Sequence, residues 1–173
     1  IKEVAKSSGA QIIPRPASLS LDDSTTDSVI GHTIDYLELT ASDILVLLQA
    51  TSPMRTRVHI EGALDLFLSQ RPQLVMSVYK PNECIFKAFK QSSSGRLEAY
   101  FNADDPFKPR QSFEDIYFAN GAIYIFTVGD FLLASRIPRS DIQPFFMGVT
   151  ESVDIDHEID LKYCAMLNEE NIP

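Results

Sequence analysis

Positive charge is scarce in this chain of 173 residues. Lys and Arg number 15 against 24 Asp and Glu, a formal net charge of −9. Contact with a phosphate backbone needs a basic face, and anionic lipid attracts polybasic segments, so this balance argues against nucleic acid and against a membrane surface as partners. Cysteine is scarcer still. Cys84 and Cys164 can build neither a disulfide framework nor a four-thiolate zinc site, and they read as buried or half-buried thiols of a reducing compartment. Long apolar runs are missing: the longest, 44–48 and 122–126, are about five residues, where a membrane-spanning helix needs about 20. No repeat and no linker interrupts the chain, so one domain over 1–173 is expected. What is plentiful is apolar content, 45%, enough to exclude intrinsic disorder.

The order of elements points to an α/β fold. Apolar residues at Ile1, Val4 and Ala5 have helical spacing, with Gly9 as the stop. Residues 10–13 read as a short strand closed by Pro14 and Pro16. Ser24, Thr25 and Asp27 suit the start of a helix over 25–38. The run 43–49 is continuously apolar at 44–48, the pattern of a strand covered on both faces in a parallel sheet. A polar loop, 51–56, leads to a helix burying Ile60, Ala63, Leu64 and Phe67, and then to a strand over 74–79. The second half departs from this alternation. Arms at 85–89 and 96–101 flank the turn residues 91–95, and a small hairpin region, about 80–118, follows from them. Residues 102–112 read as a long functional loop, 121–126 as a strand, 129–135 as a short helix, 145–147 as a strand, and 158–168 as the last helix.

Residues suited to chemistry cluster where strands end, which is where open α/β sheets bind ligands. Gln49, Thr51, Ser52 and Arg55 follow the strongest apolar strand. Hydroxyls and backbone amides there can hold an anion, and Arg55 can fork onto a carboxylate or phosphate; a capped helix start with a surface arginine is the alternative. Asp154 and Asp156 stand two apart, so on an extended segment both carboxylates share one side and suit Mg²⁺ held together with substrate phosphates. The alternative is a solvated acidic helix start. His157 beside them reads as a surface histidine, and His32 and His59 form no metal-ligand pattern with the cysteines. Lys87, Arg110 and Gln111 are candidates for an anion clamp or for plain surface charge. Gly121, after Asn120, allows a close backbone approach or simply a turn.

These pieces together resemble one family. Residues 47–56, LLQATSPMRT, look like the LLQPTSPLRT motif of the CMP-sialic acid synthetases (acylneuraminate cytidylyltransferases). Residues 120–125 resemble that family's NGAIYI strand, 152–156 with Asp160 and Leu161 its SVDID…DL ending, Arg15-Pro16-Ala17 its RPAEL segment, and Arg110-Gln111 its RQ pair. The order and spacing agree along essentially the whole chain. The resemblance implies a three-layer, mostly parallel nucleotidyltransferase fold. It implies transfer of CMP from CTP to the anomeric hydroxyl of a nine-carbon 2-keto sugar acid, with release of pyrophosphate, in a Mg²⁺-dependent homodimer of the cytoplasm (of the nucleus in an animal). It assigns Asp154 and Asp156 to Mg²⁺ and Gln49 to the sugar acid. Arg110, Lys87 and Gln111 fall to the sugar or phosphates, Asn120 to the sugar side, Arg15 and Thr26 to the nucleotide, and Ser52 and Arg55 to shaping the loop.

Departures from the family pattern are informative. Ala50 stands for a proline and Met54 for a leucine, both mild changes, whereas Phe118 stands where many members carry an arginine, which opens the choice of sugar. Residues 136–151 are short for the dimerisation segment. The ARxGSKGIPxKN loop and the VSTDD strand with which the family opens have no counterpart here, so the chain is expected to continue upstream of Ile1. This stretch alone is then expected to be a poor catalyst. The rival expectation is a non-catalytic truncated homologue that binds a sugar acid or a partner.

Overall fold

The computed structural model describes residues 2–21 and 23–170; Ile1, placed above in the first helix, lies outside the described residues. The order is α1 (Lys2–Ser7), α2 (Thr26–Tyr36), β1 (Ile44–Leu47), α3 (Arg57–Gln70), β2 (Leu74–Tyr79), β3 (Phe89–Gln91), β4 (Leu97–Ala99), β5 (Phe118–Thr127), α4 (Val128–Leu132), β6 (Ile142–Phe146) and α5 (Glu158–Glu170). The fold is α/β. Its main sheet is mixed, partly parallel, in the order β1-β5-β2-β6, and β3-β4 is a separate antiparallel hairpin. No helix among the described residues is long and apolar enough to cross a membrane.

The chain divides into two compact units. The first takes Ile1–Leu48, Arg57–Met76 and Ile123–Phe145. Its core is Ile30 and Ile34 of α2, Leu74 of β2, Phe126 of β5, and Val128 and Phe131 of α4. The four-residue step between Ile30 and Ile34 puts both on one face of α2, and the Thr25 hydroxyl starts that helix by accepting the Ser28 N–H at 3.2 Å. α3 buries Ala63 and Phe67. It ends at Arg71, whose positive φ of 53° turns the chain ahead of Pro72.

The first unit corrects two sequence expectations. Residues 10–13 are not a strand: among the described residues no strand pairs with them, the Ala10 N–H turns back to Ala5 O at 3.0 Å, and Pro14 and Pro16 have no N–H to extend a ladder. β1 is not a strand covered on both faces in a parallel sheet. It ends the sheet order and runs antiparallel to β5, Ile44 opposite Thr127 and Leu47 opposite Tyr124. Ile44 and Leu48 are about one-third exposed, at 37% and 36%. A run of apolar residues reports burial appetite but does not name the partner strand.

The second unit takes Gln49–Thr56, Ser77–Ala122 and Phe146–Pro173. Its hairpin turns at Gly95, with φ of +79°. The first arm is shorter than expected, because residues 85–87 close a 3₁₀ turn in which Lys87 N–H donates to Cys84 O at 3.0 Å. The Phe86 ring in that turn stacks on Phe113, centroids 4.7 Å apart, and lies 5.4 Å from Phe101. The loop 102–112 is two 3₁₀ turns around a buried Asp105, whose carboxylate takes the Lys108 ammonium at 2.8 Å.

Candidate functional site

The second unit carries most of the residues picked out from the sequence. Ser52 is fully buried, and its hydroxyl donates to the backbone carbonyl of Asn120 at 3.2 Å. Arg55 folds back over its own loop: Nη1 donates to the carbonyls of Gln49 at 2.5 Å and Ser52 at 2.8 Å. Burial pulls the Arg55 pKa below its ordinary value, although the group stays charged at any physiological pH. The 49–56 segment is thus pinned at its middle by the Ser52 hydroxyl and closed across by the Arg55 guanidinium.

Gly121 explains how this loop meets β5. It lies inside the strand rather than in a turn, with φ of +72°. A Cβ there would overlap Gln49 Oε1 and come within 3.4 Å of the Ser52 hydroxyl. Only glycine supplies both the backbone angle and the space, and the neighbour it admits is Gln49.

Asn120 is 4% exposed. Its Oδ1 accepts from the Ser77 hydroxyl at 2.5 Å and from the Ala122 N–H at 3.1 Å. Its Nδ2 donates to the Ser152 hydroxyl at 2.9 Å and to Met147 Sδ at 3.4 Å. Ser77 and Ser152 were not singled out as candidates from the sequence. A readable signal existed for Ser77, a lone polar residue inside the apolar strand Leu74–Tyr79, because a buried hydroxyl must find a partner.

Asp154 and Asp156 lie in the irregular segment ahead of α5, Asp156 at a bend. Both are exposed while Val153 and Ile155 are half-buried, so the alternation turns the two carboxylates to the solvent side. The segment is tied to the loop of Gln49, for Ile155 N–H donates to Thr51 O at 2.8 Å. Asp160 fixes the following turn, Oδ2 accepting the N–H groups of Asp156 at 3.1 Å and His157 at 2.8 Å. Burial, and secondarily Asp160, push the Cys164 thiol up, which leaves it protonated and inert. Among the described residues no group of three or more His, Cys, Asp or Glu is placed to hold a metal. Two exposed carboxylates on one side suit a Mg²⁺ that keeps its waters and arrives with phosphates, not a stand-alone cage.

Arg110 and Gln111 line a cavity of about 370 Å³ with Lys80, Cys84, Phe86 and Asp115 among others. Arg110 Nη1 donates to Asn82 O at 2.7 Å, and Lys80 is paired with Asp115 at 2.5 Å. Lys87 does not line this cavity; its Nζ donates to Pro106 O at 3.2 Å. Arg15 and Thr26 belong to the first unit, where both are exposed, and Thr26 borders an apolar cavity of about 180 Å³.

No family model matches the chain. Individual proteins do. The N-acylneuraminate cytidylyltransferase of Escherichia coli O18:K1:H7 is 28% identical over 167 residues, 96% of this chain and 39% of that protein. The enzyme of that name from Streptococcus agalactiae serotype V is 27% identical over 156 residues, 90% of this chain and 37% of the relative. That of Oncorhynchus mykiss is 28% identical over 165 residues, 92% and 36%. The likeness first seen in five motifs therefore runs along at least nine-tenths of the chain, in bacterial and vertebrate relatives, and this chain spans less than two-fifths of each relative's length.

Proposed function

We propose, from the similarity to the N-acylneuraminate cytidylyltransferases, that this chain carries the sugar-acid and metal face of a cytidylyltransferase. The reaction is transfer of CMP from CTP to the anomeric hydroxyl of a nine-carbon 2-keto sugar acid. The sugar oxygen attacks the α-phosphorus, the bond from that phosphorus to pyrophosphate breaks, and the hydroxyl proton leaves to solvent. The observation that carries the reading is the Ile155 N–H to Thr51 O bond, 2.8 Å, which ties the paired carboxylates to the loop bearing Gln49. Acceptor binding and metal binding are thereby held in one short stretch of contacts, and phosphoryl transfer is mostly a matter of such positioning.

In this reading Gln49 hydrogen-bonds the sugar acid, and its place against Gly121 limits the rotamers it can waste. Arg110 has donors beyond the one spent on Asn82, and with Gln111 it offers an anion clamp within the 370 Å³ cavity. Lys87 adds positive charge on the sugar or phosphate side, and Arg15 and Thr26 take the nucleotide. Asp154 and Asp156 hold Mg²⁺, which when bound neutralises triphosphate charge and acidifies the attacking hydroxyl. The active species is a homodimer; a sedimentation mass of one chain at micromolar concentration contradicts that.

The test is pyrophosphate release from CTP, with Mg²⁺ and a panel of 2-keto sugar acids, by the protein expressed from its full reading frame. Release with one acid names the substrate. A folded protein that neither releases pyrophosphate nor binds CTP refutes the proposal and leaves a non-catalytic binder.

A further inference from the structure

Asn120 has a different task from the one the family resemblance implies. A carboxamide offers two donors and accepts at two lone pairs, and in Asn120 all four places are filled by protein. The Ala122 N–H can only donate, so it fixes which amide atom is Oδ1. Ser77 then gives its proton to Oδ1. Ser152 receives from Nδ2 and passes its own proton to Gly148 O at 2.7 Å, so the one hydroxyl proton of each serine is accounted for. Nothing is left on the Asn120 side chain for a sugar, and the residue is 4% exposed.

The network has direction. On one side the Asn120 carbonyl accepts from Ser52, in the loop of Gln49. On the other the Asn120 amide holds Ser152, two residues before Asp154 and four before Asp156. The two groups assigned to acceptor and metal are thus referenced to one buried residue, the first through its backbone carbonyl and the second through its side-chain amide. We propose that Asn120, acting through Ser152, is a positioning residue that sets the Asp154–Asp156 segment against the Gln49 loop, and that it contacts no substrate. This rests on the cytidylyltransferase reading for what is being positioned, and on the hydrogen bonds alone for the positioning itself.

Two readouts separate the inference from that reading. The first is amide hydrogen exchange at Ile155 in the full-length protein, whose N–H bonds Thr51 O. Asn120→Ala and Ser152→Ala should each speed Ile155 exchange about tenfold, the equilibrium ratio expected when a buried polar partner is lost, while Val75 in the other unit keeps its protection. Ser152→Thr, which retains the hydroxyl, should restore slow exchange. The double variant should exchange no faster than the worse single one. The second readout is turnover: Ser152→Ala, which leaves Asn120 in place, should lower kcat and raise the Mg²⁺ requirement with KM for the sugar acid unchanged, and Asn120→Ala should match it. Unchanged Ile155 exchange in Ser152→Ala overturns the proposal. So does an Asn120→Ala variant that raises the sugar-acid KM while Ser152→Ala does not. If Ile155 exchange rises as expected and the wild type turns over no sugar acid, the positioning stands and the proposed reaction falls.

Discussion

Replacing Gly121 by alanine probes the loop–strand contact at a single atom. Two costs are separable. A residue with a Cβ held at φ of +72° costs about 1–2 kcal/mol. The new Cβ would also overlap Gln49 Oε1. That atom is the tip of a flexible side chain, so the overlap is relieved by driving Gln49 off its rotamer or out of its place, at about 0.5–1.5 kcal/mol. Gly121→Ala should therefore destabilise by about 1.5–3.5 kcal/mol in urea unfolding. In a Gln49→Ala background only the backbone part remains, and the cost of Gly121→Ala should fall to about 1–2 kcal/mol. Activity should follow Gln49: both Gly121→Ala and Gln49→Ala should weaken sugar-acid use more than CTP use. A Gly121→Ala protein within about 0.5 kcal/mol of wild type would refute the backbone argument. An identical cost with and without the Gln49 side chain would refute the contact.

Asp156→Asn should abolish Mg²⁺-dependent pyrophosphate release while leaving thermal unfolding unchanged; retained activity removes Asp156 from the metal. Arg55→Ala should cost about 1.5–3 kcal/mol in urea unfolding, the worth of hydrogen bonds from a charged donor, and Arg55→Lys should recover part of that, because both carbonyls are served by the single nitrogen Nη1 and a lysine ammonium carries three N–H donors; a near-neutral Arg55→Ala contradicts this. Lys108, with Asn102, holds the Asp105 carboxyl below its ordinary value. A lowered folded pKa contributes stability above the unfolded value, about 3.9, and loses it as pH falls through the folded one. The difference in Tm between wild type and Asp105→Asn should then be level above about pH 5 and shrink in acid; a difference constant down to pH 2 refutes the linkage.

Much of the architecture was written in local signals. β2 falls on the expected residues 74–79, and α3 buries Ala63 and Phe67 of its expected face, because an apolar stripe records which face is inside. β1 is legible as a strand, but its place in the sheet is not. Its partner β5 lies some 80 residues on, and the choice between edge and centre is made by that distant pairing. The strand expected at 10–13 failed for the same reason, since extended chain becomes a strand only when something bonds to it. At the site, the sequence motifs collected Gln49, Ser52, Asn120, Asp154 and Asp156 but could not tell a side chain that reaches solvent from one that is spent internally. Asn120 and Asp156 look alike as polar residues in motifs; one is buried with a full complement of partners and the other is exposed. Ser77 carries only a faint signal, because one hydroxyl scarcely dents an apolar strand.

The bonds that converge on Asn120 join residues far apart along the chain: Ser52 is 68 residues away, Ser77 43 and Ser152 32. Each contact closes a long loop before it yields anything, and such closure slows folding. Until the last segment docks, a desolvated carboxamide would lack a partner, so a half-assembled centre is worse than none. The centre should therefore form late and all at once, and no stretch of this chain shorter than residues 52–152 contains all of its partners.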